Sequence, residues 1–187
     1  AHFFHSTDAS REEDLVISIG RDAGRDYATL FKAAERTHHT YIVVASHKNI
    51  PSDMPVPANI SVLYDRSYVE LRDLYERARL VVIASKDMRT LDGSDCSGQT
   101  IILDALAAGK AVIATYRSWV TDYFVPDQDL VVVSPNDPGA LARAIDALWH
   151  DAEKRKRLAE SGHNKVVARY TTKAFAEALR ALMNSIV

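Results

Sequence analysis

Asp104 is the one charged residue in an otherwise apolar stretch, QTIILDALAAG (99–109). At helical spacing it shares a narrow stripe with Thr100 and Ser97. A surface helix carries a broad polar face, so a stripe about one residue wide predicts a carboxylate turned toward a ligand. The plainer alternative is a partly exposed Asp at a domain edge. Ser97 is placed to cap this helix. The backbone N–H groups of Gly98, Gln99 and Thr100 would then be first-turn donors suited to a phosphate. A second cluster is Gly20, Arg21 and Arg25, directly after an apolar run. Two guanidiniums there offer planar forks of donors that fit a diphosphate. Pairing with Asp22 and Asp26 is the competing reading. Asp95 and Cys96 stand in the polar loop before the Asp104 helix. His47 is the histidine worth watching, because it follows the second strand.

The elements that must position these residues are legible as alternating patterns. Short β-branched runs predict strands at 15–19, 41–46, 60–64, 80–85, 110–115 and 130–133. Helical spacing predicts helices at 26–36, 68–78, 99–109, 117–124, 138–150, 152–162 and 172–183, with Gly109 and Gly162 as stops. Strands alternating with helices predict a doubly wound, mostly parallel six-stranded sheet, Rossmann-like, ordered 3-2-1-4-5-6. A helical C-terminal tail follows. In such a sheet the loops after the first and fourth strands meet at the ligand crevice. The long loop from Ser85 to Gly98 opens there. Residues 1–13 read as a linker or incoming segment, and 14–187 as one domain.

Composition narrows the classes. The chain has 187 residues, net charge −2 and a single cysteine. That balance gives no global field for nucleic acid, and one cysteine makes no internal disulfide. No apolar run reaches the ~20 residues of a membrane span. The basic run KRKR (154–157) reads as a solvated helix face, with peripheral membrane contact as the alternative. Asp127 and Asp129 read as solvated turn acids rather than a metal-binding pair. No His/Cys spacing predicts a metal site. GRDAG lacks the glycine spacing of a dinucleotide loop, and no acid follows the second strand to hold a ribose. A phospho-receiver module would need an acidic pair where Gly20-Arg21 stands.

Several segments, in order, resemble the carboxy-terminal, nucleotide-sugar-binding domain of GT-B glycosyltransferases of the family-four type (glycosyl transferases group 1). ISIGRDAGRDYATLFKAA is similar to that family's strand, Gly-Arg loop and first helix, with Arg25 where a Lys is usual. LRDLYERARLVVIAS, GQTIILDALAAGKAVIAT and NDPGALARAI resemble its later segments. The family's acidic motif is Glu, seven residues, then Glu. Asp104 matches the second acid; the first falls on Cys96, with Asp95 adjacent.

The resemblance implies that Arg21 and Arg25 neutralise the donor diphosphate and that Asp104 holds the ribose hydroxyls. It implies retaining transfer of a sugar from a nucleotide donor to an acceptor glycan, lipid or small molecule. It also implies a metal-independent reaction without cofactor, a cytoplasmic location and an amino-terminal partner domain. A non-catalytic nucleotide-binding or regulatory module, or a sugar-nucleotide epimerase of the same fold, remains open.

Overall fold

The structure is a computed structural model and describes residues 11–50, 53–90 and 96–186. Six strands form one parallel sheet: β1 (Leu15–Ile19), β2 (Thr40–Ala45), β3 (Ile60–Tyr64), β4 (Leu80–Ile83), β5 (Ala111–Thr115) and β6 (Val131–Val133). Their order is β3-β2-β1-β4-β5-β6, as the alternating pattern predicts. All of β1, β4 and β5 is buried, because helices cover both faces and leave no polar side to alternate with.

Successive residues of one strand feed opposite cores. Val16 packs with α1 (Tyr27–Thr37) and α5 (Pro138–His150), through Leu30, Phe31, Leu141 and Ile145. Leu15, Ile17 and Ile19 pack on the other face. There they meet α2 (Tyr68–Arg77), α3 (Gln99–Ala107) and α4 (Ser118–Tyr123), through Leu74, Ile102, Leu106 and Trp119. The chain leaves β1 for one face and β4 for the other, so their carboxyl ends part and form a crevice.

Local chemistry sets the helix ends. Asp26 caps α1 by accepting from Thr29 N at 2.9 Å. Ser67 and Glu70 form a capping box on α2. Asp137 precedes Pro138 and accepts from Ala140 N at 2.8 Å, starting α5. Ahead of β1, Arg11 pairs with Asp73 and Glu76, and the Glu13 N–H donates to the Arg77 carbonyl, so this stretch lies along α2.

Two helices extend further than the sequence predicts. α6 (Ala152–Arg169) runs through Gly162 rather than stopping there, and α7 spans Thr172–Ile186. Gly162 is a contact point instead of a stop: a Cβ there would stand 2.5 Å from Leu106 Cδ2 and 2.8 Å from the Asp129 carbonyl oxygen. Alanine normally beats glycine inside a helix by about 1 kcal/mol. Here the sign should invert. Gly162→Ala is expected to destabilise the fold by about 1–3 kcal/mol, the cost of overpacking. Urea unfolding measures it, and a stabilised variant would contradict the close seating of α6.

Candidate functional site

β1 ends at Ile19, and Gly20 carries the chain out of the sheet while its N–H still donates to the Val44 carbonyl at 2.9 Å. The buried Tyr27 hydroxyl donates to the Gly20 carbonyl at 2.6 Å, which fixes the loop from below. The loop is then stitched to the end of β4. Arg25 and Ser85 form an isolated antiparallel bridge, Asp26 N donates to the Ala84 carbonyl at 3.1 Å, and Lys86 N donates to the Gly24 carbonyl at 2.8 Å.

This stitching buries Arg25, which is 3% exposed. Its guanidinium lies over Gly20, where any Cβ would come within 1.9 Å of Nε. Nε donates to Asp22 Oδ2 at 2.9 Å. Nη1 is buried and has no hydrogen-bond partner among the described residues. Nη1 sits beside the N-terminus of α3, 3.2 Å from where a Cβ on Gly98 would be. A buried guanidinium donor without an acceptor costs free energy unless a ligand supplies one.

The second wall is the start of α3. Gly98 is its N-cap, at φ 90°, and no side chain caps the helix. The predicted Ser97 cap is therefore not made. Ser97 Oγ donates instead to Asp22 Oδ1 at 2.6 Å, because the left-handed turn at Gly98 aims Ser97 at the β1 loop. Of the first-turn amides, Gln99 N is already engaged, to the Cys96 carbonyl at 3.3 Å. Asp22 thus ties the two walls together, and its carbonyl also accepts from Asn49 Nδ2 at 2.8 Å.

A pocket of about 270 Å³ opens between the walls, lined by Gly20, Arg21, Asp22, Arg25 and the run from Cys96 to Ile101. Arg21 and Cys96 are exposed at it. Of the residues singled out in the sequence, Gly20, Arg21, Arg25, Cys96, Ser97, Gly98, Gln99 and Thr100 come together here. Asp104 and His47 do not line it. Asp95 lies outside the described residues.

Asp104 is half-buried on α3, one turn beyond the exposed Thr100. Burial pushes its carboxyl up to about 6 from the ordinary 3.8. Burial also raises the Tyr75 hydroxyl, and there the fields of Asp104 and Arg25 act in opposite directions, so both charges bear on one residue behind the pocket. His47 is exposed and stacks on Tyr64 at 3.9 Å, at the ends of β2 and β3.

The competing reading of Arg25, pairing with Asp22, is observed; the second bond of Asp22, to Ser97, is what the sequence does not show. The signal of Asp22 is an acid between two arginines in a glycine loop, which local chemistry reads as simple charge pairing. Asp129 corrects the expectation of solvated turn acids. It is 0% exposed, accepts from Val125 N at 2.8 Å and Ser161 Oγ at 2.7 Å, and pairs with Lys165. Burial alone would raise its carboxyl, but these partners outweigh it and hold the group below the usual range.

With the geometry in hand, comparison with known proteins is informative. A family model described as "Glycosyl transferases group 1" matches residues 12–165. The chain is 31% identical over 104 residues to the lipopolysaccharide core biosynthesis glycosyltransferase LpsE of Rhizobium meliloti (strain 1021), covering 55% of this chain and 30% of that protein. Anabaena Alr3699/HepE in complex with UDP and glucose is similar at TM-score 0.74 and 16% identity, over 95% of this chain and 49% of that one. The C-terminal domain of a glycosyl transferase group 1 family protein (LpcC) from Francisella tularensis is similar at TM-score 0.66 and 21% identity, over 88% of this chain and 90% of that domain. At these identities the structural likeness establishes the fold. The chain spans 30% of its curated relative and about half of the HepE chain.

The geometry around Gly20 generates a test. Gly20→Ala must push the Arg25 guanidinium from its seat. The variant should lose pyrophosphate affinity by about as much as Arg25→Ala, on the order of 1.5–3 kcal/mol for a hydrogen bond to a charged group. Calorimetric titration reads both. Undiminished affinity in Gly20→Ala would mean that the seated guanidinium is not the binding group.

Proposed function

The chain belongs to the group 1 glycosyl transferases, and we propose that it is the donor half of such an enzyme, binding a nucleotide-diphosphate sugar. The observation that carries this reading is the buried Arg25 Nη1, which lacks an acceptor among the described residues and sits beside a start of α3 that none of their side chains caps. Both features favour an anion with several oxygens, as a diphosphate has. The HepE relative bound to UDP and glucose supports a uridine nucleotide as the first donor to test.

In this reading Arg25, Arg21 and the α3 start take up the negative charge that grows on the diphosphate as the sugar–phosphate C–O bond breaks. The acceptor hydroxyl oxygen forms the new bond to the same sugar carbon, and its proton passes to an oxygen of the departing diphosphate. Transfer is retaining and needs no metal, since arginines and helix-end dipoles hold the leaving group. Asp104, as a carboxylate, accepts from the ribose hydroxyls beyond the pocket, one turn further along α3 than Thr100. An amino-terminal α/β domain supplies the acceptor site and the opposite wall. Cys96, an exposed thiol at the pocket where the family carries an acid, favours one second reading: a nucleotide-binding module that does not turn over.

Two predictions separate these. The 187-residue chain alone should bind a nucleotide and transfer no sugar, because holding the acceptor against the sugar carbon accounts for much of the barrier. In a thermal-shift panel of UDP, GDP and ADP, the preferred nucleotide at 100 times its Kd should add about 2.7 kcal/mol. Adding an amino-terminal α/β domain should then permit transfer of a labelled sugar. Transfer by the short chain at the same rate would sink the half-enzyme reading, and binding without transfer in both would favour the silent module.

The second concerns Asp104. Its folded carboxyl holds a proton up to about pH 6, whereas the unfolded one releases it near 3.8. Between these values the folded state binds more protons, so stability falls as pH rises through this window. Asp104→Asn should therefore raise the melting temperature of the ligand-free chain above pH 6. The same change should weaken nucleotide binding by about 1–3 kcal/mol, and the parent's affinity should fall as pH drops through about 6. Unchanged affinity in Asp104→Asn would remove the ribose role.

A further inference from the structure

The sheet has a second cavity at its other end. It measures about 390 Å³ and opens where β4 and β5 begin, between Arg79, Lys110 and the side of α6 carrying Arg155, Lys156 and His163. The Arg25 pocket lies at the strands' carboxyl ends, so the two sites are separated by the length of the sheet.

Charge in this cavity is unbalanced. Its lining holds four cationic side chains against Glu12 and Glu160. Glu12 is committed to Arg79, with 3.3 Å between Oε1 and Nε, and Arg79 also pairs with Asp14. Among the described residues neither Lys110 nor Arg155 has an ion-pair partner. Lys110 is 4% exposed, and its ammonium donates to the Glu76 carbonyl at 3.0 Å, leaving two of its three donors. Arg155 departs from the solvated face expected of KRKR. Its Nη1 donates to the Leu148 and Trp149 carbonyls at 2.7 and 2.6 Å, at the end of α5, and the rest of its fork makes no hydrogen bond among the described residues.

Burial holds the Lys110 ammonium below its ordinary value. Burial does the same to the partly buried Arg155 guanidinium; the fields of Glu12, Asp151 and Asp14 oppose the shift and that of Arg79 adds to it. A buried ammonium with no ion pair of its own is rare and costly, and at Lys110 only the fields of Glu12 and Glu76 offset that cost. His163 donates Nδ1–H to the Leu106 and Ala107 carbonyls at 3.3 and 3.0 Å, which leaves Nε2 as the ring's remaining polar atom.

We propose that this cavity is a binding site for a phosphate group, gripped by Lys110, Arg155 and Lys156 against the small apolar wall of Ala111, Ala152 and Ala159. Donor number decides between anions. Lys110, Lys156 and Arg155 present more N–H groups than one carboxylate can accept, whereas a phosphate monoester, at about −1.5 to −2, brings three terminal oxygens. A guanidinium fork beside an ammonium also suits three or more acceptor oxygens. The phosphate belongs either to a soluble phosphorylated metabolite or to a lipid headgroup; the chemistry is shared.

The test uses the whole chain. Inorganic phosphate is titrated at constant ionic strength while NMR follows the His163 ring. The ring signal should shift saturably, and it should do so equally in Arg21→Ala, whose change lies at the other site. Lys110→Met risks misfolding, so the probe variant is Lys156→Glu, an exposed position. It should weaken phosphate binding about tenfold or more, the scale of a charged hydrogen bond. In a second arm the chain is floated with phosphatidylcholine vesicles with and without phosphatidic acid. Flotation that requires phosphatidic acid and is lost in Lys156→Glu assigns the lipid source. A ring shift with phosphate and no flotation assigns the soluble source. No saturable shift and no flotation, or responses unaltered in Lys156→Glu, would overturn the proposal.

Discussion

The ion pair between Arg25 and Asp22 is the constraint on which the pocket rests. A guanidinium that is 3% exposed has lost its solvation, and Asp22 offsets part of that loss through a 2.9 Å hydrogen bond. The same carboxylate holds Ser97, so one residue of the β1 loop sets the distance to the start of α3. Two glycines make room for the arrangement. Gly20 lets the guanidinium lie flat on the backbone, and Gly98 keeps the α3 side clear while taking the positive φ that its turn requires. Such a pair adds little to stability once desolvation is counted. Its value lies in presenting one donor, Nη1, with no acceptor among the described residues.

The sheet explains why these loops meet. β1 and β4 are neighbours, yet α1 packs on one face and α3 on the other. The loops leaving them diverge, and the gap between is the pocket. Backbone bonds from Asp26 to Ala84 and from Lys86 to Gly24 close the gap from below, so its floor is rigid backbone rather than mobile side chain. Pre-organised donors of this kind need not reorganise when charge develops on a bound group.

Much of this is legible in the sequence, for a physical reason. Strands such as LVISI and LVVI are buried on both faces, so their composition alone declares them, and alternation with amphipathic helices fixes their order. The arginines, Gly20 and the α3 start are legible because their types match their chemistry. What stays hidden depends on contacts between distant segments. Ser97 looks like a cap but reaches across 75 residues to Asp22. Gly162 looks like a stop but is a contact with α3 and the Asp129 carbonyl. Asp129 looks like a turn acid but is buried by α6, whose Lys165 and Ser161 meet it. Arg155 looks solvated in KRKR but turns onto the end of α5. In each case local chemistry permits two environments, and tertiary packing chooses between them.

Asp104 shows how function leaves a mark that packing would not. α3 is nine residues long, apolar apart from this carboxyl and Thr100 and Gln99 near its start. A residue chosen for stability at this half-buried place would be apolar or amide, because an ionised carboxyl there lacks solvation, and burial pushes this one up to about 6. The position nevertheless carries an acid. A cost of this sort persists where another demand outweighs it, and strongly perturbed acids beside a cleft are candidates for binding roles. The acid is also Asp rather than the longer Glu, and it sits a turn away from the lining at Thr100. A group reaching it must therefore extend along α3 beyond the Arg25 pocket. A bare anion held at Arg25 cannot do so; a nucleotide, with a polar ring joined to its phosphates, can. On the reading proposed above, Arg25 and Asp104 together would suit an extended ligand with phosphate at one end and hydroxyl donors at the other.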